Sequence, residues 1–195
     1  MINNTVTISG NIQSDFSLDH SFYCERFYKF YVSVYRTSGR ADIIPVIVSE
    51  RLIDVGKAMI GRAVMVTGAF RSYNMPTPDK VRVMLFVFAD EITLLEKADY
   101  TNDVFLQGTL CKEPIYRETP QGRLITDVML AVNRSYTKSD YIPCIGWGRN
   151  AFYLSGLHTG NQIRTSGRIQ SREYMKNGRL MTAYEMSMRL VETVD

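Results

Sequence analysis

The sequence predicts an all-β protein built as two tandem barrels of five strands, each with one short helix. Three observations lead there. Apolar residues recur with period 2 over short stretches bounded by Gly, Asn, Asp and Pro, which is how half-buried strands read. The chain repeats itself: Asn4-Thr-Val-Thr-Ile-Ser-Gly10 answers Asn102-Asp-Val-Phe-Leu-Gln-Gly108, and the pairs Gly10/Gly108, Arg36/Arg134, Asp42/Asp140 and Pro45/Pro143 share one offset of 98 residues. A length of 195 residues suits two domains of about 100 each. The repeat sets the boundaries at 1–98 and 99–195, with the polar, aperiodic stretch Glu96 to Thr101 as linker.

Each half supplies the same elements in the same order. Val6, Ile8 and Gly10 alternate with Thr and Ser in a first strand, matched by Val104, Leu106 and Gly108. Phe30, Val32 and Val34 mark the core face of a second strand, matched by Val128, Leu130 and Val132. A third runs through Ile43 to Val48 and through Tyr141 to Trp147. Glu50 to Lys57 and Asn150 to Leu157 suit short helices, each followed by a glycine, Gly61 or Gly160. Two further strands then form a hairpin, Gly61 to Gly68 answering Gly160 to Gly167 with one residue inserted. The second hairpin turns at Lys176-Asn-Gly178, and the first through a longer Pro-containing loop, Tyr73 to Lys80. Five strands with a helix between the third and fourth is the order of an oligonucleotide-binding (OB) barrel.

The stretch from Asp140 to Tyr174 holds the only tryptophan and the densest arginine pattern. Period-2 geometry puts Tyr141, Pro143, Ile145 and Trp147 on one face of their strand. Further on, Ile163, Thr165, Gly167 and Ile169 suit a core, while Arg164, Ser166, Arg168, Gln170, Arg172 and Tyr174 point the other way. Guanidinium groups interleaved with aromatic rings fit a polyanion with exposed planar bases. The first half lacks most of this set. Opposite Tyr141 and Trp147 it has Ile43 and Ser49, and opposite Tyr136 it has Ser38. Arg71 and Tyr73 remain as a basic–aromatic pair near its hairpin. Arg36 and Arg134 either contact phosphate or pair with Asp42 and Asp140. Phe22, Tyr23, Phe27 and Tyr28 read as core and loop packing.

Composition excludes several classes. No run approaches the ~18 apolar residues of a membrane helix, and the N-terminus has neither a basic nor an apolar leader region. Three cysteines far apart, without a CxxC, read as reduced thiols of a cytoplasmic protein. His20 and His158 stand away from any nucleophile or ligand cluster, and no phosphate-binding glycine loop occurs, so no catalysis, cofactor or metal is expected. A net charge of +3 is too small to mark nucleic acid by itself, so the positive charge must be arranged locally.

The second half resembles the bacterial single-stranded DNA-binding protein family over nearly all of residues 102 to 194. The elements that carry the resemblance are Asn102 to Gly108, Glu113-Pro114, the Thr119 to Gly122 turn and Leu130-Ala-Val-Asn-Arg134. They continue with Asp140, Gly146-Trp-Gly-Arg149, Gly160 and Gly167-Arg-Ile-Gln-Ser-Arg-Glu-Tyr174. The first half is more divergent but keeps Asn4, Gly10, Arg36, Asp42 and Gly68. The resemblance implies single-stranded DNA as partner, with bases stacked on Tyr136, Tyr141, Trp147 and Tyr174. Basic contacts would then come from Arg134, Arg149, Arg164, Arg168, Arg172 and Lys176, joined by Arg36, Arg71 and Tyr73 of the first half. It also implies four OB domains per assembly, here a homodimer, with the outer face around Met65, Thr67 and Ala69 suited to that contact. Where the family usually continues into a flexible tail with an acidic, Phe-terminated tip, this sequence stops at Val191-Glu-Thr-Val-Asp195, so recruitment of repair and replication enzymes by that route is not expected. The rival readings are a primosomal accessory protein of the same fold, a protein-interaction scaffold whose strand-binding face has decayed, and an RNA chaperone.

Overall fold

The structure, a computed structural model, describes residues 3–76, 81–135, 138–176 and 178–194. The elements in chain order are β1 (Asn4–Ile12), β2 (Ser17–Phe22), β3 (Glu25–Tyr35), β4 (Ala41–Ser49), β5 (Ala63–Pro76) and β6 (Val81–Leu95). The second half repeats them as β7 (Asn102–Leu110), β8 (Ile115–Glu118), β9 (Leu124–Asn133), β10 (Ser139–Trp147), α1 (Arg149–Ser155), β11 (Gln162–Lys176) and β12 (Arg179–Thr193). The chain forms two compact units. One comprises Thr5–Arg71 and Leu85–Asp103; the other comprises Val104–Asp195, Ser72–Met84 and Met1–Asn4. The units therefore cut across β5 between Arg71 and Ser72, rather than following the sequence halves throughout.

In the first unit, β1 pairs antiparallel with β5 from Val6↔Gly68 to Asn11↔Ala63, and its far end turns onto β3 at Asn11↔Ser33. β3 pairs with β4, and β4 closes onto β6 in parallel at Val46↔Val87. The second unit repeats the plan: β7 pairs with β11 and at its end with β9, β9 pairs with β10, and β10 closes in parallel onto β12 at Cys144↔Met186. Each unit is a strongly coiled OB barrel. Closing it brings one strand's backbone against another's, and the repeated glycine sits there. A Cβ on Gly10 would run into the Ser33 carbonyl oxygen, and one on Gly108 into that of Ala131.

Inside the first barrel lie Val6, Ile8, Phe30, Val32, Val46, Val66 and Phe70, each 1% exposed or less. Inside the second lie Leu106, Leu130, Ile142, Leu154, Ile163, Ile169 and Met186, all at 0%. Val6, Ile8, Phe30, Val32, Leu106, Leu130, Ile163 and Ile169 are period-2 core residues of the sequence reading.

Three expectations differ from the structure. Each half carries a sixth short strand, β2 or β8, folded back on the strand that follows it. Both are exposed throughout, so no alternation announces them. Tyr73 to Pro76 continues β5 instead of opening a loop, and residues 77–80 of that expected loop lie outside the described residues. The first-half helix is absent: Glu50 to Lys57 is a run of turns. There the Ser49 hydroxyl accepts from Arg51 N–H and the Asp54 carboxylate from Gly56 N–H, each at 3.1 Å. Such side chains capture the backbone in turns that compete with a helix. Lys57 and then the Gly56 amide hold the Asp54 carboxyl below its ordinary range. In α1, by contrast, Ala151 and Leu154 are fully buried one turn apart and anchor the helix on the barrel.

Candidate nucleic-acid interface

β10 presents its two faces as the alternation requires. Asp140, Ile142, Cys144 and Gly146 point inward, while Tyr141 is 44% exposed and Pro143 and Trp147 are half-buried. Ile145 departs from the pattern and is buried at 4%. The glycines around Trp147 have separate tasks. A Cβ on Gly146 would come within 2.5 Å of Leu154 Cδ1, so its absence lets α1 pack on the strand end. Gly148, at φ 55, turns the chain into that helix. Trp147 is held between two fixed backbone points, paired across to Ile125 on β9.

Register then shows which side chains share a face. Ile145 pairs with Ser187 on β12, and Ser187 pairs with Arg168 on β11. Directly paired residues lie on the same side of a sheet. Tyr141, Pro143, Ile145 and Trp147 therefore share one continuous face with Arg168, Gln170, Arg172 and Tyr174, two strand spacings or ~10 Å away. The Arg172 guanidinium lies 6.0 Å from the centre of the half-buried Tyr174 ring. Arg149, the first residue of α1, is exposed just beyond Trp147.

The other predicted residues fall elsewhere. Arg134 and Asp140 form an ion pair, with Arg134 Nε donating to Asp140 Oδ2 at 2.6 Å and its terminal nitrogen to Oδ1. Ser72 completes the cluster: its N–H donates to Asp140 Oδ1 at 2.5 Å, its carbonyl accepts from Arg134 at 2.8 Å, and its hydroxyl accepts from Tyr141 N–H at 2.8 Å. Arg36 and Asp42 make the same pair, with Asp42 at 0% exposure. Of the two roles open to these arginines in the sequence, the ion pair is present in both halves. Arg164 is four residues from Arg168, ~13 Å along the strand, and bonds Glu192 at 2.7 Å. Beside it a shallow depression of about 160 Å³ is lined by Phe105, Ser166 and Leu190. Arg71 sits over the Phe88 ring at 4.3 Å, in the other unit from Tyr73, which is 41% exposed. Tyr136 and the Lys176 side chain lie outside the described residues. Of the residues proposed for a contact between copies, Thr67 is exposed and Met65 half-buried, but Ala69 is buried at 8% and cannot contribute.

Sequence reasoning missed the acids on this face. Asp127 is paired directly with Ile145 and bonds Arg117 at 2.5 Å. Glu185 accepts from Gln170 Nε2 at 2.6 Å. The Asp127 bond, with Glu185 beside it, raises the Arg117 pKa above its ordinary value. Burial, reinforced by Glu185, pushes the Cys144 thiol well up. With two carboxylates against Arg117, Arg168 and Arg172, the excess positive charge is small. Such a face attracts a polyanion weakly and must gain from planar stacking. The packing reading of the aromatic cluster also fails at its tip, where Phe22 is 63% and Tyr23 87% exposed. Among the described residues no helix is long and apolar enough to cross a membrane.

Comparison with known proteins identifies the family and the fold. Residues 101–194 match the family described as the single-strand binding protein family. Single-stranded DNA-binding protein A of Bacillus subtilis is 38% identical over 80 residues, which is 37% of this chain and 46% of that protein. Single-stranded DNA-binding protein B of the same organism is 38% identical over 80 residues and is covered to 71% of its length. The chain spans about half the length of the first curated relatives it matches. The crystal structure of the single-stranded DNA-binding protein from Thermus aquaticus superimposes with a TM-score of 0.79 at 20% identity, covering 98% of this chain and 93% of that one. The likeness to that structure extends the shared fold across both halves. By its second half and its barrel plan, this chain belongs to the single-strand binding protein family.

Proposed function

We propose that this chain binds single-stranded DNA without sequence preference and protects it during replication, repair or recombination in the cytoplasm, as a binding protein and not a catalyst. The carrying observation is the shared face of Tyr141, Trp147, Arg168, Arg172 and Tyr174 in the second half. Base–aromatic stacking contributes ~1–3 kcal/mol per base and tolerates any sequence, because every base has a π-face. Arg168, Arg172 and Arg149 take phosphates. The second half, residues 99–195, makes the main contacts, and two chains supply four barrels in a homodimer.

Titration of Trp147 fluorescence with oligo-dT at two salt concentrations tests this reading. Stacking on the only tryptophan quenches it strongly. Two or three phosphate contacts give a slope of log affinity against log salt of about −1.4 to −2.1. Unquenched Trp147 in folded protein, or equal quenching by duplex of the same length, sinks the proposal. A monomer in light scattering at micromolar concentration sinks the dimer alone.

A further inference from the structure

In the first half the positions that match Tyr141 and Trp147 carry Ile43 and Ser49, but rings return on neighbouring strands of the same face. β3 pairs Phe27 with Ser49 and Lys29 with Ile47, and β4 pairs Ile47 with Phe88 of β6. Phe27, Lys29 and Phe88 therefore lie on one side of the sheet. β2 adds His20 opposite Phe27, and Phe22 opposite Glu25.

These rings form a row. His20 and Phe27 stack with centres 4.8 Å apart and planes 6° from parallel. Phe27 and Phe88 follow at 5.7 Å and 34°. The Arg71 guanidinium then covers the Phe88 ring at 4.3 Å. At the other end the row runs into the β2–β3 tip, where Phe22 meets Tyr23 edge-on at 4.4 Å. Tyr23 and Cys24 hold left-handed backbone there, φ 46 and 61, a conformation that non-glycine residues adopt at a cost. His20 is exposed, and Phe27 and Phe88 are half-buried, so each keeps part of its surface open although His20 covers one side of Phe27 and Arg71 one side of Phe88.

We propose that this row is a second single-strand subsite, in which bases stack on Phe22, Phe27 and Phe88 while Arg71 and Lys29 meet phosphates. It rests on the single-strand reading above and extends it to the half whose sequence had lost the expected rings. A strand of bases fits the shape along the open side of the row rather than between its rings, which already touch: a narrow line of planar groups ended by a guanidinium is not the broad apolar patch that a protein partner would bury. Three of the nearby carboxylates are already engaged. Asp19 lies 2.7 Å from His20 Nδ1, Glu50 pairs with Arg26 at 2.8 Å, and Glu25 pairs with Arg51 at 3.4 Å.

The test compares oligo-dT of about 10 nucleotides with one of about 30, since a single OB fold covers ~4–16. Binding is read by Trp147 fluorescence. The double variant Phe27→Leu/Phe88→Leu keeps apolar volume without ring faces. It should bind the short strand as wild type does and lose tenfold or more on the long one. Phe88→Tyr, which keeps the ring, should keep wild-type affinity for the long strand. Wild-type affinity of the double variant for the long strand overturns the subsite and leaves the row to a protein contact. A loss in Phe88→Tyr as deep as in Phe88→Leu also overturns it. Wild-type protein with Trp147 unquenched at either length refutes the second-half reading instead. In that case, photocrosslinking of a 5-iodouracil strand decides this subsite by itself, and the absence of adducts at Phe22, Phe27 and Phe88 overturns it.

Discussion

Replacing Arg134 by methionine separates two roles that the sequence left open. The variant keeps the length of the side chain but loses every bond the guanidinium donates, to both Asp140 oxygens and to the Ser72 carbonyl. Asp140 is 1% exposed and keeps only the Ser72 N–H among these partners. Removing one member of a buried pair costs ~3–5 kcal/mol, because the other charge stays buried and uncompensated. Arg134 is itself 28% exposed, so part of its hydration was never lost and the cost falls to about 2–3 kcal/mol. With an m-value of ~1–3 kcal/mol/M, that moves the urea midpoint down by roughly 0.7–3 M. Trp147 fluorescence follows the transition in the same barrel. The salt dependence of oligo-dT binding should stay as in wild type. A midpoint within ~0.3 M of wild type, with a salt slope shallower by ~0.7, would refute the structural role and make Arg134 a phosphate contact.

Tyr141→Ala removes a ring already 44% exposed, so it should weaken oligo-dT binding by about 5- to 100-fold while leaving the urea midpoint nearly in place. Gly108→Ala drives a methyl group into the Ala131 backbone oxygen, which cannot rotate away, and should destabilise the second barrel by about 1–3 kcal/mol in the same denaturation assay. Burial disfavours the Cys144 thiolate, so a thiol reagent at about pH 8, near the ordinary cysteine pKa, should label exposed Cys24 within minutes and reach Cys144 only on unfolding. Mass spectrometry of the modified peptides distinguishes the two sites.

Much of the fold was legible because its demands repeat. The alternation of β1, β3 and β4, and their echo in β7, β9 and β10, follows from one face packed on a core. What stayed hidden had physical reasons. β2 and β8 are exposed on both faces and carry no period. The turns after β4 share length and position with α1, but Ser49 and Asp54 bind their own backbone there. In β6 the run Val83 to Phe88 is apolar in both phases, so periodicity cannot tell Val87, at 0% exposure, from the half-open Phe88 beside it. In β11 the arginine stripe was read correctly as a face. Its division into Arg164, bound to Glu192, and Arg168 with Arg172, level with the rings, depends on cross-strand partners that the strand's own sequence does not name.

The two halves keep different things for different reasons. Gly10 and Gly108 recur because a backbone oxygen occupies the space of their Cβ, and Arg36–Asp42 and Arg134–Asp140 recur because a buried carboxylate needs its partner in place. These requirements are tied to single positions. A stacking ring is not so tied: a base accepts any exposed aromatic on the face, so the ring can move from β4 to β3 or β6 without loss of chemistry. Position-by-position comparison therefore transfers the skeleton between the halves and loses the site. Ile43 and Ser49 mark where rings are missing, while Phe27 and Phe88, each paired with β4, are the rings that the proposed subsite uses instead. By this logic, grafting Tyr at Ile43 should add less to long-strand affinity than Phe27→Leu/Phe88→Leu removes, because the row through β3 and β6 already occupies the path. A graft that gains as much as the double variant loses would contradict it.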